Sequence, residues 1–500
     1  MINILKYLLL FFILILFTFK ISFCNAGTSS NQHNLGSKQL TSKLQSQIQE
    51  LQTEINNLKQ HNSNNGFTTY NSKVEDIIDL KPNDTTNTYE ILTNIDEESS
   101  IANSKNKSIG GIFDKDGGIN VGNAPAITTQ GEVTYLGSYS GNNTIPIGMI
   151  SGNLFASTLF GQRGKFDDYS VFFGGKIEID AQIWSGSKNI VNTSTSLPSN
   201  GQNIYLTAAN LYFLSNIGHY VTAQFDFDTT ELGSFGLGNA FVIFGNLDTS
   251  PFFLTAGRNK LSVGAFGGGG PWTGGITKSF LAPGKVTNVS LNYKDDIWNA
   301  NIAVFGSNDN QANFSTGLFY AQRWTQDIAV GFNTGYVYNM AGAGNSSLSS
   351  FLQTQKKPND IIGSFDINGN ITYSLGGGFL NIGLGWATTT NKKDFNGDSN
   401  EVLAGAMYGA LNYSLVLGGR NTNFGASYGQ SYNATNITMP LAASPLYFAK
   451  STSGIKNQII LSTQRAYFDD NVLFGPEYVY QKLYNGKHMN TVTLDISIYI

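Results

Sequence analysis

Cysteine is almost missing from this chain, with Cys24 the one example in 500 residues. Proline is scarce at 11 residues. Charged residues make up 13% of the chain, about half the share of roughly 25% that a soluble domain carries. Beyond the N-terminus there is no run of about 20 apolar residues, which excludes a multi-helix transporter. What replaces the charge is glycine (56 residues) together with Asn, Ser and Thr, and the chain carries 34 Phe and 24 Tyr. That aromatic content excludes a disordered chain, which cannot bury enough apolar surface to fold. Five hundred residues would suggest about three domains, but a single closed β-barrel can absorb most of such a length.

The one long apolar run lies at the front. Lys6 precedes Tyr7 to Phe19, and the segment ends in Cys24-Asn25-Ala26-Gly27. The order of charge, short apolar core and small residues predicts a secretory signal peptide over residues 1–26, cleaved after Ala26. A lipid-modified Cys24 is the rival reading, disfavoured by bulky Phe23 where the lipoprotein peptidase normally requires a small residue. Removing Lys6 and Lys20 with the signal leaves 28 basic against 34 acidic residues. That acidic balance gives no reason to expect a nucleic-acid partner. Without cysteine, neither disulfides nor thiolate metal sites can hold the exported chain together.

From Leu44 the residues Leu44, Ile48, Leu51, Ile55 and Leu58 follow alternating steps of four and three between polar neighbours. Residues 40–60, within an N-terminal segment 27–60, are therefore expected to form a short coiled-coil helix. Either it joins copies of the chain into a homo-oligomer or it lies alone on another part of the chain. Residues 61–130, rich in Asn, Ser, Thr and Asp, read as a polar spacer.

From about residue 131 the period becomes 2 and stays so to residue 500. Val221, Ala223, Phe225 and Phe227 alternate with Thr222, Gln224, Asp226 and Asp228; Val492, Leu494, Ile496 and Ile498 alternate with Thr491, Thr493, Asp495 and Ser497. Alternate residues of a strand point to opposite faces, so one face is apolar and the other polar. Such strands would be long enough to cross a bilayer at a tilt. Tyr205, Tyr212, Tyr293, Trp298, Trp324, Tyr336, Trp386, Tyr408 and Tyr413 stand within or near strand ends, where interfacial aromatic girdles form. An open edge in hydrocarbon would leave backbone groups without partners, so the sheet must close. At roughly 23 residues per strand, residues 131–500 give an all-β fold: a transmembrane antiparallel β-barrel of about 16 strands (roughly 14–18). Lys294-Asp295-Asp296 and Thr325-Gln326-Asp327 read as periplasmic hairpin turns. The Gly, Asn and Ser stretches around 262–285, 339–362, 391–400 and 430–446 read as outer loops, any of which could fold inward and narrow the pore.

The stretch from Gly118 to Gly175, opening GINVGNAP and closing DDYSVFFGG, resembles the start of the barrel in the siderophore-porin family of outer-membrane iron-uptake proteins (LbtU-like, FslE/FupA-like). The layout of exported N-terminus, short coiled coil, spacer and barrel is similar across nearly the whole chain. The resemblance implies an outer-membrane receptor that takes up a ferric siderophore or ferrous iron without energy-coupling machinery or a resident cofactor, among membrane lipid and lipopolysaccharide. A general diffusion porin for small polar solutes, and a surface structural or host-contact protein, are the alternatives.

No catalytic constellation is evident. His33, His61, His219 and His488 are scattered, so neither an enzyme nor a transition-metal site is expected. By alternation Lys176, Glu178, Asp180, Asp226 and Asp228 should line the lumen, where they either bind a translocating ion or form salt bridges between strands. Arg258 and Lys260, with Lys278 and Lys285, either attract a polycarboxylate ferric chelate at the mouth or place strand-end charge in water or against lipopolysaccharide phosphate. Asp394, Asn396 and Asp398 put oxygen ligands at alternate positions of a loop, a spacing that suits calcium. The glycine there is misplaced for an EF-hand, which favours an ordinary solvated loop.

Overall fold

The structure, a computed structural model, describes residues 169–499 apart from 192–197, 230, 232, 234, 296, 308–310, 326, 376–377, 443–449 and 469–471. The expected signal peptide, coiled coil, spacer and Gly118 to Asp168 lie outside the described residues, as does the proposed barrel boundary at 131.

Sixteen strands form one closed antiparallel barrel in which each strand pairs with its neighbours in sequence. They are β1 (Tyr169–Gly186), β2 (Asn200–Ile217), β3 (Val221–Thr229), β4 (Gly236–Phe244), β5 (Phe252–Lys260), β6 (Lys285–Lys294), β7 (Trp298–Gly306), β8 (Ala312–Arg323), β9 (Ile328–Val337), β10 (Ser364–Leu375), β11 (Gly378–Thr389), β12 (Gly405–Leu417), β13 (Arg420–Tyr432), β14 (Ile455–Tyr467), β15 (Val472–Leu483) and β16 (His488–Tyr499). The expected strand number is met. Closure comes from β16 lying against β1, with Ile177 opposite Ile498 and Gly186 opposite Met489.

The two-residue rhythm sorts the side chains as expected. On β1 and β16, Glu178, Asp180, Gln182, Thr491, Thr493 and Asp495 point inward and are buried, while Ile179, Ile183, Val492 and Leu494 point outward and are exposed. The outer surface carries an aliphatic belt that includes Val289, Leu291, Ile302, Val304, Leu318, Ile382, Leu384, Leu411 and Leu461, all exposed. An aromatic band edges the belt at each end. At one end Trp298 packs on Tyr320, Phe252 on Tyr293, and Trp324 Nε1 donates to the Tyr320 hydroxyl at 3.0 Å. At the other, Phe314 stacks on Tyr338 and Trp386 Nε1 donates to the Tyr432 hydroxyl at 3.0 Å.

Three of the expected girdle residues are corrections. Tyr205, Tyr212 and Tyr408 face inward and are buried. Tyr205 and Tyr212, of opposite parity, share the inner face because the β1–β2 register slips between them: Glu178 pairs with Ala208 and Ile179 with Leu206, leaving Thr207 as an extra, bulged residue. A bulge reverses which parity points inward. The inner wall is also not polar throughout, since Tyr212, Leu214, Phe241, Ile243 and Phe253 are buried on the inner faces of β2, β4 and β5.

The two ends of the barrel carry different connections. Turns such as Lys294 to Trp298 and Trp324 to Ile328 cap one end; Asp295 fastens the first by accepting the backbone N–H groups of Ile297 at 2.8 Å and Trp298 at 2.6 Å. The long connections all leave the other end. There they build a shared apolar core around Phe280, Leu281, Met340, Phe351, Phe395, Ile437 and Met439. Two short helices belong to this assembly, α1 (Ile276–Leu281) and α2 (Ser346–Thr354). Asn345 joins them. Its side chain accepts from Leu348 N at the start of α2 and donates to Phe280 O and Ala282 O at the end of α1.

Candidate functional site

The β5–β6 connection, residues 261–284, turns into the barrel instead of outward. Its backbone is held by side chains that project from the inner wall on either side. Asn301 on β7 donates to Ser262 O, and Asn333 on β9 accepts from Ala265 N at 2.9 Å. Asp366 on β10 accepts from the backbone of Phe266. Farther along, Ser427 on β13 donates to Gly268 O at 2.8 Å and Gln458 on β14 to Gly274 O at 3.1 Å. Glu477 on β15 accepts from Trp272 N at 3.2 Å and Thr273 N at 3.1 Å. The chain therefore crosses from the β7–β10 side to the β12–β15 side.

Gly268 makes this path passable. It sits at φ +82, and a Cβ there would collide with the Tyr408 ring; glycine alone accepts that conformation without cost. Beyond the glycine run, α1 turns the segment back, with Ile276, Phe280 and Leu281 buried in the loop core. Of the four stretches expected to be outer loops, this one has partners on the most wall strands; the 430–446 stretch also reaches the wall, where Gln481 accepts from Ala442 N at 2.9 Å and Thr491 donates to Ala442 O at 2.5 Å.

A ladder of amides and carboxylates lines the wall around the segment. Asn368 connects Asn333 and Asp366, and the Tyr408 hydroxyl donates to Asn368 Oδ1 at 3.0 Å. Asn381 donates to Thr372 and Ser414 to Asn423 on neighbouring strands. Buried polar groups need such partners.

The candidate lumen residues divide into two clusters. On β3, Asp226 is satisfied on both oxygens: Asn239 N and Nδ2 reach Oδ1 and Oδ2 at 2.7 Å, and Gln224 Nε2 reaches Oδ2 at 2.9 Å. Asp228 takes Lys285 Nζ at 2.8 Å and Asn210 Nδ2 at 2.5 Å. These two carboxylates thus form salt bridges between strands. On β1, Lys176 pairs with Glu178, and Asp180 faces Asp495 across the β1–β16 seam. Asp495, Glu477 and Asp366 were not singled out from the sequence, although the alternation in β16 already placed Asp495 on the polar face.

The candidate cations Arg258, Lys260, Lys278 and Lys285 are placed differently from one another. Arg258 shares the outward face of β5 with Leu254, is exposed, and donates through Nε to Gly238 O at 3.2 Å. Alternation puts it outside the lumen, which matches strand-end charge facing water or headgroups. Lys260 and Lys278 lie close enough to interact, but the Lys285 charge is already answered by Asp228 and Asp226. Burial, then the neighbouring Lys260 charge, holds the Lys278 ammonium well below the usual lysine range.

The loop of Asp394, Asn396 and Asp398, read as an ordinary solvated loop in preference to a calcium site, is turned on itself. Asp394 accepts the backbone N–H groups of Gly397, Asp398 and Ser399, Asp398 accepts from Asn400 N, and Asn396 accepts from the Thr435 hydroxyl. These oxygens cap a turn and accept from protein donors. Among the described histidines, His219 lies in the β2–β3 turn and His488 begins β16 at the opposite end.

Residues 1–365 match a family model described as "Protein of unknown function (DUF3573)". No curated protein matches the chain. Several solved outer-membrane proteins are similar in structure. The OmpT outer-membrane protein of Vibrio cholerae, in a form lacking loop L8, is 12% identical, with 67% of this chain and 100% of that chain covered at a TM-score of 0.44. OmpF of Salmonella typhi, in complex with daunomycin, is 14% identical over 67% and 98% of the two chains at 0.43. The outer-membrane channel DcaP of Acinetobacter baumannii is 12% identical over 66% and 97% at 0.44.

Proposed function

The chain belongs to the DUF3573 family, and from its barrel we propose that it is a porin-like outer-membrane channel, narrowed from within, that admits iron. The observation that carries the reading is the pairing of an apolar, aromatic-edged exterior with a largely hydrogen-bonding interior crossed by residues 261–284. A barrel closed on itself satisfies its backbone in lipid. The interior then offers a polar route whose width is set by the segment that the wall side chains hold in place.

Cargo follows from the sign of the wall. Glu178, Asp180, Asp366, Glu477 and Asp495 are all buried and inward-facing, with Lys176 and Lys294 as inward counterparts. Carboxylates in a low-dielectric wall raise the local concentration of cations. This favours ferrous ion over an anionic ferric chelate within the iron reading that the Gly118 to Gly175 resemblance supports. A cell lacking the protein should lose uptake of iron-55 supplied as free ferrous ion and retain more of the uptake supplied as loaded siderophore. Unchanged uptake of both forms contradicts the iron reading. A large, non-saturating conductance for neutral solutes would favour general diffusion, and a reconstituted barrel that conducts nothing would favour the structural role.

A further inference from the structure

We propose that Glu178, Asp180 and Asp495 form a binding site for a hard divalent cation in the barrel wall. The β1–β16 register sets Asp180 directly opposite Asp495, and two positions along β1 the alternation brings Glu178 to the same face. One carboxylate oxygen from each of the three lies within 4.8 Å of the others. Relative exposures are 7% for Glu178, 3% for Asp180 and 0% for Asp495. Like charges directly opposite in a sheet repel, and burial strengthens that repulsion. Lys176 contacts Glu178, so three carboxylates and one ammonium leave a net charge that a divalent cation cancels.

A separate feature of the two aspartates indicates a ligand. Asp180 Oδ2 accepts the Thr207 hydroxyl, and Asp495 Oδ2 accepts Ser497 Oγ at 2.9 Å. Thr207 is positioned for this by the bulge in β2. The other oxygen of each, Asp180 Oδ1 and Asp495 Oδ1, is buried and accepts from no donor among the described residues; the two carboxyls lie within hydrogen-bonding reach of each other, where a shared proton or a cation can bridge them. Gln182 Oε1, on the next inward position of β1, is also buried without a partner while its amide nitrogen donates to Thr493 at 2.9 Å. Asp226, in the same barrel, shows both carboxylate oxygens satisfied by protein donors. A buried charged oxygen without a partner is costly, and a cation supplies one to each. The donors are all carboxylate oxygens, with neither His nor Cys, which suits Ca²⁺, Mg²⁺, Mn²⁺ or Fe²⁺ over softer metals.

This goes beyond the transport reading, because binding in the wall holds whichever solute the barrel passes. Tyr205, directly opposite Asp180 on β2 and buried on the same inner face, supplies a built-in antenna for terbium luminescence. The full chain, purified in detergent and stripped with chelator, should give tyrosine-sensitised terbium emission that Ca²⁺ or Mn²⁺ displaces. The paired change Asp180→Asn and Asp495→Asn should abolish that titration. In chelator it should also raise the unfolding temperature above the wild type, since the repulsion is gone, and remove the stabilisation by added Mn²⁺. Glu178→Gln provides a second variant, and the gel mobility of unheated samples verifies folding in each. Wild-type barrel that neither binds the probe ions nor gains stability from Mn²⁺ overturns the site, as do folded variants that bind like wild type. A barrel that binds the ion but takes up no iron overturns the transport reading alone.

Discussion

Replacing residues 264–282 with a short Gly-Ser linker raises the single-channel conductance of the reconstituted barrel several-fold. The pairing of β5 with β6, from Phe252 opposite Tyr293 to Lys260 opposite Lys285, lies outside the excised stretch, so closure is preserved. A barrel of 16 strands without an obstruction encloses an aqueous channel, and this one is obstructed by a segment fastened at Asn301, Asn333, Asp366, Ser427, Gln458 and Glu477. Excision also opens Asp366 and Glu477 to water, so cation preference falls as conductance rises. The variant Glu477→Gln, which weakens one fastening, should give an intermediate increase or more frequent open events. Conductance unchanged by the excision would mean that the solute path does not pass the segment.

Ile302→Arg should destabilise the barrel by about 2–4 kcal/mol, the range for arginine placed on the lipid face near the bilayer midplane. Ile302 is 54% exposed, at the centre of β7, and its outward neighbours are Leu291 across the β6 seam and Val304 on its own strand. Thr287→Arg provides the depth control. Thr287 faces outward beside Arg258 near the loop end of the barrel, where the same substitution costs about 1 kcal/mol or less. Urea unfolding of vesicle-inserted protein reads both. Equal costs at the two positions would remove the argument that the belt is matched to hydrocarbon.

Much of the barrel was legible in the sequence because a strand with one wet face and one greasy face repeats every two residues without reference to anything distant. Glu178, Asp180, Asp226 and Asp228 were assigned to the inner face on that basis. The approximate strand number followed from length, and the turns at Asp295 and Asp327 from short polar breaks. Legibility ended where the period breaks or where a partner is remote. The bulge at Thr207 carries no signature in composition, yet it turns Tyr205 and Tyr212 inward together. The glycine run 267–270 signalled an unusual backbone but not its direction, because Glu477 and Ser427, which hold the segment, lie 205 and 159 residues from their partners in sequence and Asp366 is also remote. Arg258 was grouped with Lys260, Lys278 and Lys285, but it is exposed on the outer face while the Lys285 ammonium is held by Asp226 and by Asp228, an acidic partner 57 residues away in sequence. The Asp180–Asp495 pair requires knowing that β16 closes on β1, a register that neither strand alone specifies.

Spin labels at single cysteines, in a Cys24→Ser background that has no other thiol, test the central claim that lipid surrounds this wall. Labels at Val289, Ile302, Leu318, Ile382, Leu411 and Val492 in vesicle-reconstituted barrel should be accessible to dissolved oxygen, which partitions into hydrocarbon, and shielded from a water-soluble nickel chelate. Labels accessible to the nickel chelate all around that ring would place these side chains in water and contradict the account.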